Sequence, residues 1–154
     1  MIKYSIATLL FTVFFLTSCS DDLYVDNTVL PFEKIEYTRT CGWCVGQIDI
    51  EITKDRKVNF TRTTPCPLQI NNLERSLTDE EFQSIKNVFD LENVLNVELD
   101  DCGACLDGCD ETIILNSSYG HEHFIRYKHL SLYSELDEIE GLVNVLEEIR
   151  NSFN

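Results

Sequence analysis

The sequence predicts an α+β domain in which an antiparallel sheet of about five strands carries two helices on one face. Apolar and polar residues alternate over 32–38, 47–54 and 58–60, as expected for half-buried strands. A capping-box sequence begins at Thr78, and residues of helical spacing form an apolar stripe near the C-terminus. Because short turns join the strands, an antiparallel sheet is favoured over a doubly wound parallel one.

The first three strands are predicted from alternation around a short break. Ile48, Ile50 and Ile52 oppose polar neighbours, and the polar stretch 54–57 suggests a hairpin to the strand that contains Phe60. The sequence Pro65-Cys66-Pro67 is expected to end that strand, since proline cannot donate to a β-ladder. The connection from there to Thr78 is predicted to be irregular.

The second half is predicted to contain a helix, two strands and a final helix. Thr78 and Glu81 form the first capping box, and that helix is expected to end near Asp90. Residues 112–115 are apolar on both faces, as in a central strand, and 124–127 are expected to pair with them. Ser134, followed by Asp137, is predicted to cap the last helix.

Residues 1–18 predict a lipoprotein signal peptide. Lys3 precedes an apolar run at 6–16, and Leu16-Thr17-Ser18-Cys19 follows with no acidic residue before the cysteine. The apolar run is too short to span a bilayer. Cys19 is therefore predicted to become the acylated mature N-terminus, whose acyl chains anchor the protein in a lipid bilayer.

The rest of the chain is predicted to be a tether and one domain. Residues 19–31 form the lipidated N-terminus and a flexible tether, and 32–154 form a single α+β domain. The formal net charge is −15, and loss of residues 1–18 would remove only Lys3 from the charged residues. Such an acidic chain is not expected to bind nucleic acid.

Six cysteines remain beside Cys19, and an exported chain with an even number favours disulfides. Cys41–Cys44 and Cys102–Cys105 are suggested as local loops, although six cysteines leave fifteen possible pairings. These disulfide candidates are Cys41, Cys44, Cys66, Cys102, Cys105 and Cys109.

Two other interpretations of the cysteines stay open. Cys41, Cys44, Cys102 and Cys105 could supply four thiolates to zinc, but the oxidising compartment and the two additional cysteines weaken that hypothesis. Cys41 and Cys44 could also form a redox pair. A strand follows them, however, and no helix dipole would lower the pKa of the attacking thiol.

The sequence carries no recognisable catalytic constellation, so we predict no catalytic residues, no cofactor and no metal site. His121 and His123 are expected to belong to a solvated turn. Trp43, the one tryptophan, lies within the first cysteine motif. If exposed, it is the candidate contact for a protein partner, and if buried, it packs into the corner of the sheet.

Two cysteine motifs carry a family resemblance. The run 35–46, with Cys41-Gly42-Trp43-Cys44, and the later Cys102-Gly103-Ala104-Cys105 resemble small, uncharacterised lipoproteins from Bacteroidota whose domain has no assigned function. The resemblance implies that Cys66 and Cys109 are additions and therefore pair with each other. It also implies that the acidic start of the tether, Ser20-Asp21-Asp22, directs the protein to the cell surface.

The predicted function is that of a disulfide-stabilised, lipid-anchored binding module of the outer membrane. Its predicted location is the cell surface, with the periplasmic face as the alternative. Two alternative functions are an envelope thiol-disulfide oxidoreductase that uses Cys41 and Cys44, and an inhibitor of a cationic enzyme.

Overall fold

The computed structural model describes residues 30–42, 45–102, 108–118, 120–129, 131 and 133–153. Several predicted features lie outside these ranges. They are the predicted signal peptide, the predicted lipidation site Cys19, most of the predicted tether, and Trp43, Cys44 and Cys105. Leu30, at the end of the predicted tether, is buried, and its backbone N–H donates to the Lys54 carbonyl oxygen.

Within the described residues, six strands form one antiparallel sheet with the order β4-β3-β2-β1-β5-β6. The strands are β1 (Lys34–Cys41), β2 (Gly46–Thr53), β3 (Lys57–Pro65), β4 (Leu68–Ser76), β5 (Cys109–Asn116) and β6 (Glu122–Lys128). The helices are α1 (Asp79–Val88), α2 (Leu91–Asn96), a 3₁₀ helix (Ser134–Ile139) and α3 (Glu140–Asn151). The predicted α+β class is therefore confirmed.

The predicted strand count and order are wrong because β4 was assigned to a connection. β4 is an edge strand that pairs only with β3, and most of its residues are exposed. An exposed edge strand needs no alternation of apolar and polar residues, and in β4 the alternation covers only 68–71 and breaks at Asn72. Proline at Pro65 ends β3 as expected, but the chain then returns as β4 beside it.

The core lies between one face of the sheet and the helices. Register places Ile35 of β1 beside Ile52 of β2 and Leu115 of β5, and Tyr37 beside Ile50 and Ile113. These side chains form one buried cluster with apolar residues of the helices, including Phe82, Ile85, Leu142, Leu146 and Ile149. The opposite sheet face is polar on β1 and β2, where the strands alternate, but it also exposes Leu68, Ile70 and Phe124.

Of the two predicted helix caps, the one at Thr78 is present and the one at Ser134 is not. Thr78 and Glu81 form the predicted capping box of α1. The predicted cap by Ser134 is wrong, because the 3₁₀ helix begins there without a side-chain cap and the α-helix starts at Glu140. Apolar periodicity alone does not distinguish a 3₁₀ turn from the first turn of an α-helix.

The disulfide pairing differs from the prediction. Cys41 is bonded to Cys109, and these two residues are direct neighbours across β1 and β5, with Cα atoms 4.0 Å apart. The predicted Cys41–Cys44 and Cys66–Cys109 pairs are therefore wrong. Cys66 and Cys102 are also disulfide-bonded, and the predicted Cys102–Cys105 pair involves a residue outside the described ranges. The pairing of cysteines that are close in sequence was a wrong prediction for Cys41, because strand pairing brings cysteines together that are far apart in the sequence.

Among the described residues, no helix is both long enough and apolar enough to cross a membrane.

Candidate functional site

The candidate site lies where β5 and β6 meet the C-terminal helix. Glu111 of β5 faces Tyr127 of β6 in the sheet register, and His129 follows two residues later. Because alternate residues of a strand share a face, the Tyr127 and His129 side chains both point to the helix-covered side. Glu147 and Arg150, one helical turn apart on α3, approach from the opposite direction.

Glu111 is the centre of this group. Its carboxylate is almost completely buried, with 2% of the side chain exposed, and its Oε1 atom lies 2.7 Å from His129 Nδ1. The Arg150 guanidinium donates to the same oxygen through Nη1 at 3.3 Å. A buried carboxylate requires such partners, because one without a hydrogen bond or a counter-charge would carry a large desolvation cost.

Two tyrosines complete the buried network. Arg150 Nη1 also donates to the Tyr37 hydroxyl at 3.1 Å, and that hydroxyl donates to Glu147 Oε1 at 3.4 Å. Burial raises the pKa of Tyr37 and of Tyr127 far above the ordinary tyrosine range, with nearby negative charge acting in the same direction. Both phenols therefore stay protonated and remain hydrogen-bond donors.

The Tyr127 hydroxyl is the unsatisfied atom of the site. The residue is 4% exposed, and its hydroxyl has Glu111 and Tyr37 as neighbours but makes no hydrogen bond of acceptable geometry. A buried polar atom without a partner is costly, and most such atoms in native proteins are satisfied by protein, water or ligand. Tyr127 lines the adjoining cavity, but the hydroxyl oxygen itself has almost no accessible surface.

The cavity has a volume of about 500 Å³, which falls within the range of small-ligand sites. Most of its surface is apolar, and four carboxylates and three rings are placed on that surface. The acidic side chains are those of Glu111, Asp137, Glu140 and Glu147. The rings are those of Tyr127, His129 and Tyr133, and Leu136 and Val143 supply apolar contacts. Among the described residues that line it, none is Lys or Arg.

Asp101, which directly precedes the second cysteine motif, contacts Tyr133, a residue that lines the cavity. The Tyr133 hydroxyl donates to Asp101 Oδ2 at 2.6 Å, and Lys128 Nζ lies 3.2 Å from the same oxygen. These two contacts hold the pKa of Asp101 below its ordinary value. Asp101 thereby positions one aromatic ring of the cavity.

The residues singled out from the sequence do not form this site. His121 is exposed, and His123 Nε2 lies 3.0 Å from the Val97 carbonyl oxygen instead. Cys41 and Cys102 are in disulfides, so the alternative zinc site with four thiolates is not formed. Trp43 lies outside the described residues.

Sequence reasoning missed Glu111, His129 and Glu147. One signal was present, since Glu111 directly precedes the apolar run that identified a central strand, and an acid at such a position is expected to be buried. The other two residues look like ordinary surface side chains until β6 and α3 are placed beside β5.

No protein-family profile matches the chain, nor does any curated protein. The site is therefore interpreted from its own geometry.

Proposed function

We propose that this protein is a lipid-anchored binding module of the cell envelope that takes a small cation, or a cationic group of a larger ligand, into the Glu111 cavity. The observation that carries the binding proposal is the cavity's composition. Four carboxylates line it against one imidazole, and the buried Arg150 offsets only one of them. A cation is therefore favoured over an anion or a neutral molecule.

The aromatic rings support the same ligand class. Tyr127 and Tyr133 line the cavity beside the carboxylates. Ring faces attract cations, and aromatic residues combined with acids are a common arrangement for the recognition of ammonium groups. The Tyr127 hydroxyl adds a buried hydrogen-bonding group that the protein itself leaves unsatisfied. The carboxylates and the ring faces attract a cationic ligand, and a hydrogen-bonding group would also fix the orientation of that ligand.

The proposed anchor rests on the N-terminal sequence. The apolar run at 6–16 and Leu16-Thr17-Ser18-Cys19 support acylation at Cys19, and the acidic residues that follow support an outer-membrane location at the cell surface. Labelling with palmitate in the native host tests the anchor. We expect label in the wild-type chain and none in Cys19→Ser, and equal label in both would contradict acylation at this residue.

Titration of the full-length chain in detergent tests the binding proposal. A panel of organic and inorganic cations, including L-argininamide, is compared with L-glutamate as the anionic probe. We expect saturable binding of at least one cation, no binding of L-glutamate, and a loss of at least tenfold in affinity for Glu147→Gln, since a cavity carboxylate is removed.

Glu148→Gln is the matched control, because Glu148 lies beside Glu147 on α3 but is exposed and does not line the cavity. Its affinity should equal that of the wild type. Failure of every cation to bind, or an equal loss in both variants, would contradict the proposed function.

A second role, inhibition of a cationic enzyme, is favoured by the net charge of −15 and by the uncovered sheet face. Glu36, Asp49 and Glu51 lie on that face, in neighbouring positions of β1 and β2. Basic hydrolases should then be retained by the immobilised protein at low salt and released at high salt. Recovery of none at low salt would exclude this role.

The oxidoreductase alternative is not proposed. Cys41, its predicted nucleophile, is bonded to Cys109 in a cross-strand disulfide, and a strand follows it rather than a helix.

A further inference from the structure

We propose that the cation of this cavity is a divalent transition-metal ion of the zinc class, bound by Glu111, His129 and Glu147. This inference rests on the proposed function and deepens it, because it names the ligand of the same cavity. The first observation is that the candidate ligand atoms of these three side chains lie close together. One nitrogen or oxygen atom from each of these three side chains lies within 4.8 Å of the other two.

The distances are compatible with a metal after a small side-chain movement. Zinc bonds to nitrogen and oxygen are about 2.0–2.2 Å long, so ligand atoms at tetrahedral angles lie roughly 3.4 Å apart. His129 Nδ1 and Glu111 Oε1 lie 2.7 Å apart, which is a hydrogen-bonding distance, so these two atoms would have to move apart to bind one metal ion. Glu147 is only partly buried and lies on the rim, so its carboxylate can rotate to close the remaining gap.

The donor set selects the class of metal. A neutral imidazole nitrogen with two carboxylates suits zinc and its neighbours in the first transition row, whereas Ca²⁺ and Mg²⁺ prefer oxygen ligands alone. Three protein ligands leave a fourth position open for water or another small ligand. The two carboxylates outweigh the single guanidinium of Arg150, so the group attracts a cation while the imidazole is neutral.

The surrounding residues resemble the outer shell of a metal site. Arg150 contacts Glu111 and Tyr37 contacts Glu147, so each carboxylate ligand has a hydrogen-bonding partner beside the proposed metal. Tyr127 lines the cavity next to Glu111, and its hydroxyl lacks a hydrogen bond of acceptable geometry. That hydroxyl has almost no accessible surface, so a fourth ligand on the metal would reach it only after a side-chain movement.

Calorimetric titration of the full-length chain with zinc chloride, after treatment with a chelator, tests the inference. We expect one equivalent to bind, and we expect His129→Ala and Glu147→Gln each to lower the affinity by more than the roughly 10–100-fold that loss of an outer-shell partner costs. His121→Ala is the matched control, because His121 is exposed on the turn before β6. Its affinity should be unchanged. Circular dichroism establishes that each variant is folded.

Cobalt provides a second readout that does not depend on affinity. Co²⁺ bound by nitrogen and oxygen ligands in a four-coordinate site should give a strong visible absorption band. That band should be present in the wild type and in His121→Ala, and absent in Glu147→Gln, which removes a rim ligand and leaves the buried pair intact.

The outcomes separate this inference from the proposed function. Binding of L-argininamide without binding of zinc would overturn the metal site and leave the cationic cavity standing. Zinc binding that is lost in His121→Ala and kept in His129→Ala would also overturn it, since the metal would then lie on the turn. Binding of neither probe, nor of any other cation, would overturn both proposals.

Discussion

Arg150 is a buried cation whose guanidinium holds one cavity carboxylate and the buried Tyr37 hydroxyl in place. Its Nη1 atom donates to the Tyr37 hydroxyl and to Glu111 Oε1, and only 5% of the residue is exposed. Taking both charges out of water is expensive, and their attraction offsets this cost only while both partners are present. Arg150 therefore determines whether the Glu111 carboxylate is tolerated in the core.

Replacement of Arg150 by methionine should lower the free energy of unfolding by roughly 3–5 kcal/mol, because the Glu111 carboxylate would stay buried without its guanidinium. Urea denaturation measures the change. The double variant Arg150→Met, Glu111→Gln should recover part of the loss, since it removes the buried charge. A loss of less than about 1 kcal/mol in the single variant would mean that His129 suffices to compensate Glu111.

At the scale of elements, Glu81 joins the edge of the sheet to the first helix. Its carboxylate accepts two hydrogen bonds from the Arg75 guanidinium of β4, at 2.7 and 2.6 Å. It also accepts from the Thr78 backbone N–H at 2.8 Å, while Thr78 Oγ1 accepts from the Glu81 N–H. Burial raises the pKa of Glu81, but the bonds from Arg75 and Thr78 outweigh this effect and hold the pKa below its ordinary value of 4.5.

Because folding lowers the pKa of Glu81, the free energy of unfolding should depend on pH. A carboxyl group whose pKa is lower in the folded state stabilises the fold fully above its unfolded pKa, and the stabilisation is lost as pH falls through the folded value. Glu81→Gln should therefore cost about 2 kcal/mol at pH 7, and this difference from the wild type should shrink as pH falls below about 4.5.

Glu80→Gln is the control for this prediction, since Glu80 is the exposed neighbour in the same helical turn. Its cost should be small, and urea denaturation at several pH values measures both variants. A Glu81→Gln cost that stayed constant down to pH 3 would contradict the assigned role of the ionised carboxylate.

The elements also show how far the sequence could predict this fold. Ile48, Ile50 and Ile52 predicted β2 because one face of that strand is buried, and Thr78 predicted α1 because its capping chemistry is local. The strand β4 was missed because its alternation of apolar and polar residues breaks at Asn72, after only four residues. The site was missed because Glu111, His129 and Glu147 meet only through the β5–β6 pairing and the packing of α3, which are non-local.

At the scale of the whole molecule, the Cys41–Cys109 disulfide closes a long loop. It spans 68 positions of the chain and joins β1 to β5 next to the candidate site, since Cys109 lies two residues before Glu111 on the same strand. Cross-linking residues so far apart restricts the unfolded chain more than a short loop would. The bond also fixes the β1–β5 register on which Glu111 depends.

Loss of this disulfide should lower the free energy of unfolding by roughly 4 kcal/mol in the chain-entropy estimate for such a loop. The double variant Cys41→Ser, Cys109→Ser tests this without leaving a free thiol from the pair. Peptide mapping of the wild-type chain should recover a fragment pair joined through Cys41 and Cys109. Recovery of Cys41 joined to Cys44, or of Cys109 joined to Cys66, would contradict the strand pairing described above.

The most direct test of the Glu111 cavity as the binding site is an anomalous difference map, measured at the zinc absorption edge from crystals of the full-length chain grown with zinc. We expect a strong peak at about 2.0–2.2 Å from atoms of Glu111, His129 and Glu147. A map with its strong peaks only at His121 or at surface carboxylates, and none in the cavity, would contradict the proposed site.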